Sequence, residues 1–284
     1  MIAYGALLDA LRGVTWPARR TVHGHSAGAH RSPMRGVSPE FTEYRPYRQG
    51  DDPRRLDWKL LARTDRAYLR ITNDRASLGT LLLVDASASM SFGDKWTQAR
   101  RITVGLAAVA HASGDPVGVI AVGARGLAEL PPRTRRGVVG EIARLLDDVQ
   151  PSGAAPLAPS LIRAHAARRV AIVSDFLGDH EDILAAARVW LAEKGEAVAV
   201  HIVAREELEP RAESAIAVDP EESAVRRPLT RGAIAAYERD FADFRDRLAR
   251  VWRDAGGAYA LAMSDEPADR VVRRVTGLAT ALAT

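Results

Sequence analysis

The sequence predicts an α/β fold, a mostly parallel sheet flanked by helices and preceded by a small amino-terminal segment. Three observations predict it. From Thr80 onward, short apolar runs alternate with stretches of helical periodicity. Several of those runs are apolar without alternation, as strands buried on both faces must be. At 284 residues the chain is long enough for one sizeable core and a smaller module.

Taken in order, residues 18–40 are rich in Gly, Ser, His and Pro and read as irregular, within a leader of residues 1–30. His23, His25 and His30 there read as a solvated loop rather than a metal site. A signature segment, 31–75, completes an amino-terminal unit of residues 1–77, and the α/β domain occupies 78–284. Strands are expected at Thr80–Asp85, Pro116–Val122, Arg169–Asp175, Ala197–Ala204 and Ala258–Met263, with an antiparallel edge hairpin carrying Leu127–Leu130. Ala99, Ile102, Leu106 and Val109 place an apolar stripe on a helix over 95–112, and Val138, Ile142 and Leu145 do so on the next. Ile234, Tyr237, Phe241, Phe244, Leu248 and Val251 mark a long amphipathic helix ended by Gly256-Gly257, with the stripe facing the core. Residues 205–230 read as a surface excursion.

Composition excludes several classes of function. There is no cysteine, so disulfides, thiolate metal sites and cysteine nucleophiles are out, and a reducing cytoplasmic location is expected. The apolar run from Met1 to Leu8 is too short for a signal segment or a spanning helix. Formal net charge is +4, and 37 of 40 basic residues are arginine, a bias read as genomic rather than functional. Residues 31–75 hold 11 Arg/Lys against 7 Asp/Glu, so whatever attracts anions lies there. No H-E-x-x-H or phosphate-loop pattern occurs, and Ser87 has no histidine nearby in sequence, so no enzyme is expected.

Candidate chemistry gathers at two strand ends. Asp85, Ser87 and Ser89 follow a buried strand in a D-x-S-x-S loop, the end of an open α/β sheet where ligands bind. One carboxylate and two hydroxyls make a hard oxygen set suited to Mg2+, although the same residues also serve as helix caps. Asp175 ends a second apolar strand that can sit beside the first.

These residues resemble the metal-ion-dependent adhesion site of the von Willebrand factor A domain, in which D-x-S-x-S is joined by a threonine and an aspartate. The resemblance implies a von Willebrand factor A-like (Rossmann-like) fold, with Asp85, Ser87, Ser89 and Asp175 at the ion. The threonine is missing: in Pro151-Ser-Gly-Ala-Ala155-Pro-Leu157, Ala155 stands where the hydroxyl belongs. Affinity for Mg2+ is thereby lowered, or water or Ser152 substitutes.

A second resemblance reaches upstream. Glu40-Phe41-Thr-Glu43-Tyr44-Arg45-Pro-Tyr47-Arg-Gln-Gly50-Asp51-Asp52-Pro-Arg54-Arg55-Leu56-Asp57-Trp58-Lys59-Leu-Leu-Ala62-Arg63 is similar to the signature of domain-of-unknown-function family 58. The match departs at Leu56, where isoleucine is usual, and at Ser38-Pro39. Many relatives carry a membrane hairpin ahead of the signature, whereas this chain resembles the soluble short form. The resemblance implies partnership with a MoxR-type AAA+ ATPase in assembling or remodelling a client complex. For Arg45, Asp51, Asp52, Arg54, Asp57, Trp58 and Arg63 two roles stay open. Either an arginine–carboxylate network docks the segment on the A domain, with Trp58, Phe41 and Tyr44 as anchors, or part of it is a partner surface. A nucleic-acid-binding module centred on 31–75 is the alternative from another class, opposed by the seven acidic residues in the same stretch.

Overall fold

A computed structural model describes residues 4–19, 27–31, 41–48, 56–72, 75–154, 156–178, 180–193, 195–210, 216–218, 226–228 and 230–278. The leader contains a short helix, α1 (Gly5–Ala10), where an irregular chain was expected. Leu7 and Leu8 of α1 and Leu11 just beyond it pack on the main core, which rewards one helical turn that propensity alone would not hold. A strand, β1 (Ala27–Arg31), also falls in the stretch read as irregular. In the signature, β2 (Phe41–Pro46), α2 (Trp58–Thr64), β3 (Tyr68–Thr72) and β4 (Arg75–Ala76) follow. β2 pairs antiparallel with β3, and β1 with β4.

The α/β unit then runs β5 (Thr80–Asp85), a 3-10 turn at Ala88–Ser91, α3 (Lys95–Ala112), β6 (Val117–Gly123), β7 (Gly126–Arg133), α4 (Val138–Asp148) and α5 (Ala158–Ile162). It continues through β8 (Arg169–Ser174), α6 (His180–Ala192), β9 (Glu196–Val203), α7 (Arg205–Leu208), β10 (Ile216–Val218), β11 (Arg226–Pro228), α8 (Arg231–Asp254), β12 (Ala258–Met263) and α9 (Ala268–Gly277). Six strands form one sheet in the order β12-β9-β8-β5-β6-β7. Every pairing is parallel except β6–β7, the edge hairpin expected from the sequence.

β5 lies inside the sheet with all six of its residues buried, so its two faces belong to two cores. Leu82 and Val84 face α3, α4 and α9, with Leu106, Ile142 and Val271 among their neighbours in that core. Leu81 and Leu83 face the other side, with Leu161, Ile183, Leu248 and Trp252. Gly105 in α3 has a packing reason, because a Cβ there would stand 2.8 Å from Val272 Cγ2 and 3.1 Å from Leu11 Cδ1. It lets α9 and the leader approach α3 closely.

The long amphipathic helix matches α8, capped by the Thr230 hydroxyl, which accepts from Ala233 N at 3.1 Å, and ended where Gly256 takes φ +82°. Its stripe is core only in part: Phe241 and Leu248 are buried and Phe244 and Val251 partly so, whereas Tyr237 is exposed. In α4 the buried residues are Val138, Ile142 and Leu146, with Leu145 at the margin.

The leader is fastened at the amino-terminal ends of the strands. Trp16, in the main core, lies under the Arg169 guanidinium at 4.3 Å, and Arg169 also donates to the Pro17 carbonyl at 2.9 Å. Leu11 and Trp16 therefore belong to the core of the unit that was expected to begin at residue 78.

Candidate functional site

Asp85 and Asp175 end adjacent strands. Val84 is in register with Val173, so Asp85 meets Ser174, whose hydroxyl donates to Asp85 Oδ2 at 2.6 Å. Ser87 N donates to Asp85 Oδ1 at 2.8 Å, which turns the chain sharply at the strand end. The Ser87 and Ser89 hydroxyls then lie 3.0 Å apart. Pro151–Ala154 is laid against this loop: Ser152 N donates to Ala86 O at 2.9 Å and Ala88 N to Gly153 O at 2.8 Å. Gly153 has φ +56°, and a Cβ there would stand 2.6 Å from Ala124 Cβ. Ala155, one residue beyond, is outside the described residues.

Asp175 turns the other way, onto a residue that sequence reasoning passed over. Lys95 Nζ donates to Asp175 Oδ2 at 2.7 Å and to Glu207 Oε1 at 2.6 Å. Lys95 is 0% exposed, Asp175 1% and Asp85 6%. Glu207 is held a second time, through Ala204 N at 2.7 Å to Oε2, and Asp175 Oδ1 accepts from Leu177 N at 3.2 Å. The ammonium thus joins the start of α3, the end of β8 and the turn of α7.

Asp175 and Glu207 share one ammonium while Asp85 is buried without a cation partner among the described residues, and the pKa values respond. Burial, then the charge of Asp175, pushes the Asp85 carboxyl up to about 6 despite the Ser174 and Ser87 hydrogen bonds. Glu207 is raised as well, by burial, with Lys95 acting against it. His201, on β9 and fully buried, is pushed down to about 3 by burial, so it is neutral. Its Nδ1 lies 2.8 Å from the Tyr259 hydroxyl. Phe176, which follows Asp175, takes φ +54° and wedges edge-on against His201 and Trp252. That packing supports a left-handed backbone which a bulky residue adopts at a cost.

The residues present fit a hard cation. Neighbouring ligands of an octahedral ion at 2.0–2.1 Å stand about 2.8–3.0 Å apart, which is the spacing of the two serine hydroxyls. Asp85 supplies the adjoining carboxylate. Among the described residues no group of three or more His, Asp or Glu side chains is arranged to hold a metal, so the hydroxyls are indispensable to such a site. Ser87 has Ser89 rather than a histidine as its hydrogen-bond partner, an arrangement that makes no nucleophile.

The upstream residues are placed as follows. Asp57 caps α2, accepting from Leu60 N at 2.9 Å through Oδ1. Trp58 is 62% exposed, so it is not the buried anchor that docking would require, and Arg63 is exposed too. Arg45 is in β2, in register with Leu69. Asp51, Asp52 and Arg54 fall outside the described residues. Asp57→Ala is expected to fray α2 and cost about 1 kcal/mol, the usual worth of such a cap, read as lost amide protection over Trp58–Leu61 by hydrogen exchange.

Lys95, Glu207 and Ser174 are the site residues the sequence did not disclose. Ser174 was recoverable, since it precedes Asp175 at the same strand end. Glu207 was hidden in an apparent surface excursion.

A family model described as Protein of unknown function DUF58 matches residues 43–246. Uncharacterized proteins of Mycobacterium tuberculosis and Mycobacterium bovis are each 30% identical to this chain over 183 residues, 61% of this chain and 58% of theirs. The chain therefore spans 58% of the length of these curated relatives. Among solved structures, BatB from Bacteroides thetaiotaomicron overlays with a TM-score of 0.47 at 13% identity, covering 72% of this chain and 100% of that one. The SpRpn10 VWA domain does so at 0.42 and 13%, covering 69% and 94%. A von Willebrand factor type A protein from Catenulispora acidiphila does so at 0.41 and 11%, covering 75% and 44%. These likenesses concern fold. No described helix is long and apolar enough to cross a membrane.

Proposed function

We propose, for a chain that belongs to the family described as Protein of unknown function DUF58, that it is a non-enzymatic protein-binding adaptor. Its binding face is formed by the carboxyl ends of β5 and β8. The observation that carries this reading is the gathering of Asp85, Ser87 and Ser89 at one strand end, where Ser87 N donates to the Asp85 carboxylate and the two hydroxyls lie 3.0 Å apart, with the exposed apolar side chains of Phe92 and Leu177 a few residues further along the two loops. Such a face would take a carboxylate of the partner at the polar strand end, with Phe92 and Leu177 offering apolar contacts beside it. Asp85, Ser87 and Ser89 would hold Mg2+, and the ion would supply an electrophilic position for a carboxylate of the partner.

The partner class follows from the family resemblance: a MoxR-type AAA+ ATPase, with a client complex that the two assemble or remodel. The location proposed for that work is the cytoplasm. The signature helix α2, which presents Trp58 and Arg63 outward, is proposed as a second contact surface.

The test is affinity purification from the native cell with Mg2+ or with EDTA, using the native chain and Asp85→Asn. Recovery of an AAA+ ATPase is expected to fall at least about tenfold, equivalent to 1.4 kcal/mol, with EDTA or with the variant. Equal recovery in all arms would remove the cation from the binding mechanism, and the absence of any ATPase would remove the partner class.

A further inference from the structure

We propose that Lys95 sets the cation affinity of this face by detaining Asp175, so that the ion is held by one carboxylate where two are within reach. This rests on the cation reading above and adds a determinant of occupancy to it.

The geometry is specific. Lys95 is the first residue of α3 and is fully buried, so its ammonium cannot exchange a lost carboxylate for water. Its two charge-assisted hydrogen bonds, 2.7 Å to Asp175 and 2.6 Å to Glu207, are of the short, strong kind. Glu207 is itself pinned by Ala204 N, and the Phe92 ring lies 5.7 Å from the ammonium. Asp175 nonetheless directly follows Ser174, whose hydroxyl donates to Asp85 Oδ2 at 2.6 Å, so it leaves the strand end beside the one that carries the hydroxyl pair. Its Oδ2 points to Lys95 instead.

Cation affinity at oxygen sites follows the number of charged ligands. One carboxylate with two neutral hydroxyls makes a weak site, filled only when free Mg2+ reaches the millimolar range. Freed from Lys95, Asp175 would add a second negative charge. A lysine that holds back one carboxylate therefore makes occupancy, and with it partner capture, responsive to the free cation concentration.

The experiment is titration of the isolated full chain with Mn2+, followed by the loss of the free-ion electron paramagnetic resonance signal, and with Mg2+ by calorimetry. Lys95→Gln, which keeps hydrogen bonding without the charge, is expected to bind at least about tenfold more tightly than the native chain. Lys95→Arg is expected to bind as the native chain does. Asp175→Asn in the Lys95→Gln background is expected to abolish the gain. Native affinity in Lys95→Gln, or a gain that survives Asp175→Asn, would overturn the proposal by showing that Asp175 never joins the ion. If neither the native chain nor any variant binds Mn2+, the cation reading itself falls. If the native chain binds, Asp85→Asn abolishes binding and Lys95→Gln changes nothing, only the role of Lys95 falls. Should Lys95→Gln fail to fold, the 15N signal of the Lys95 ammonium in the native chain decides: it is expected to persist at saturating Mg2+, and its loss would show that the ion takes Asp175 from the lysine.

Discussion

Replacing Arg169 by leucine is expected to destabilise the chain by about 3–5 kcal/mol, the range found when one partner of a buried charge network is removed. Arg169 is 1% exposed at the start of β8, with Glu196 at 3.3 Å and Asp115 at 3.8 Å. Burial lowers its pKa, and the two carboxylates act against that shift. Leucine would leave Glu196 and Asp115 in the interior without this cation. It would also free Trp16 and the Pro17 carbonyl, which fasten the leader. The loss should therefore be shared between the sheet and the leader. Urea denaturation read by Trp fluorescence measures the whole loss, and early proteolysis near residue 16 would report the leader's share. Arg63→Leu, at an exposed position, is expected to stay within about 0.5 kcal/mol of the native chain. If Arg169→Leu behaves like Arg63→Leu, the leader is held by apolar packing alone.

The same network shows what could be read from the sequence. β5 was legible to the residue because a parallel strand buried on both faces is a continuous apolar run, ended here by Asp85, and β12, a half-buried edge strand, because its apolar run is bounded by Gly256-Gly257 and Ser264. α6 and α9 were not singled out. The core positions of α6 are Ile183, Ala187 and Leu191, a stripe diluted by alanine, and those of α9 are Val271, Val272 and Val275, residues equally at home in a strand. The leader's helix is made by contact with α3 and α9, which no local pattern announces.

The candidate site divides in the same way. Asp85, Ser87 and Ser89 are local in the chain, so their spacing carries their chemistry. Asp175 could be brought to them because both residues end strands. Lys95 pairs with groups 80 and 112 positions away, and nothing about a single lysine at a helix start distinguishes a buried cation from a solvated one. Of the signature residues, Asp57 is explained locally as a cap, whereas the exposure of Trp58 leaves binding, rather than docking, as its proposed role.

Asp85→Asn is expected to remove a pH dependence that the native chain carries. The folded-state pKa of Asp85 lies near 6 against 3.8 for the ordinary group, so ionising it opposes folding. Between those values the folded state binds more protons than the unfolded one, and stability falls as pH rises. The penalty is absent below about pH 4, grows through pH 5 and is complete above about pH 6; at 1.36 kcal/mol per pKa unit it amounts to about 3 kcal/mol. Asparagine has nothing to ionise, so the stability difference between variant and native chain should shift in the variant's favour by that amount across the window. Glu207 is raised too, but it is present in both proteins and cancels in the difference. Guanidinium denaturation at a series of pH values in EDTA measures this, and parallel profiles would mean that Asp85 is not held in a desolvated site. Saturating Mg2+ should shrink the shift, because an ion that binds the carboxylate stabilises its ionised form. A carboxylate that weakens its own fold in the absence of a cation, at a position proposed here for partner capture, would exchange stability for function, the expected pattern at a binding site.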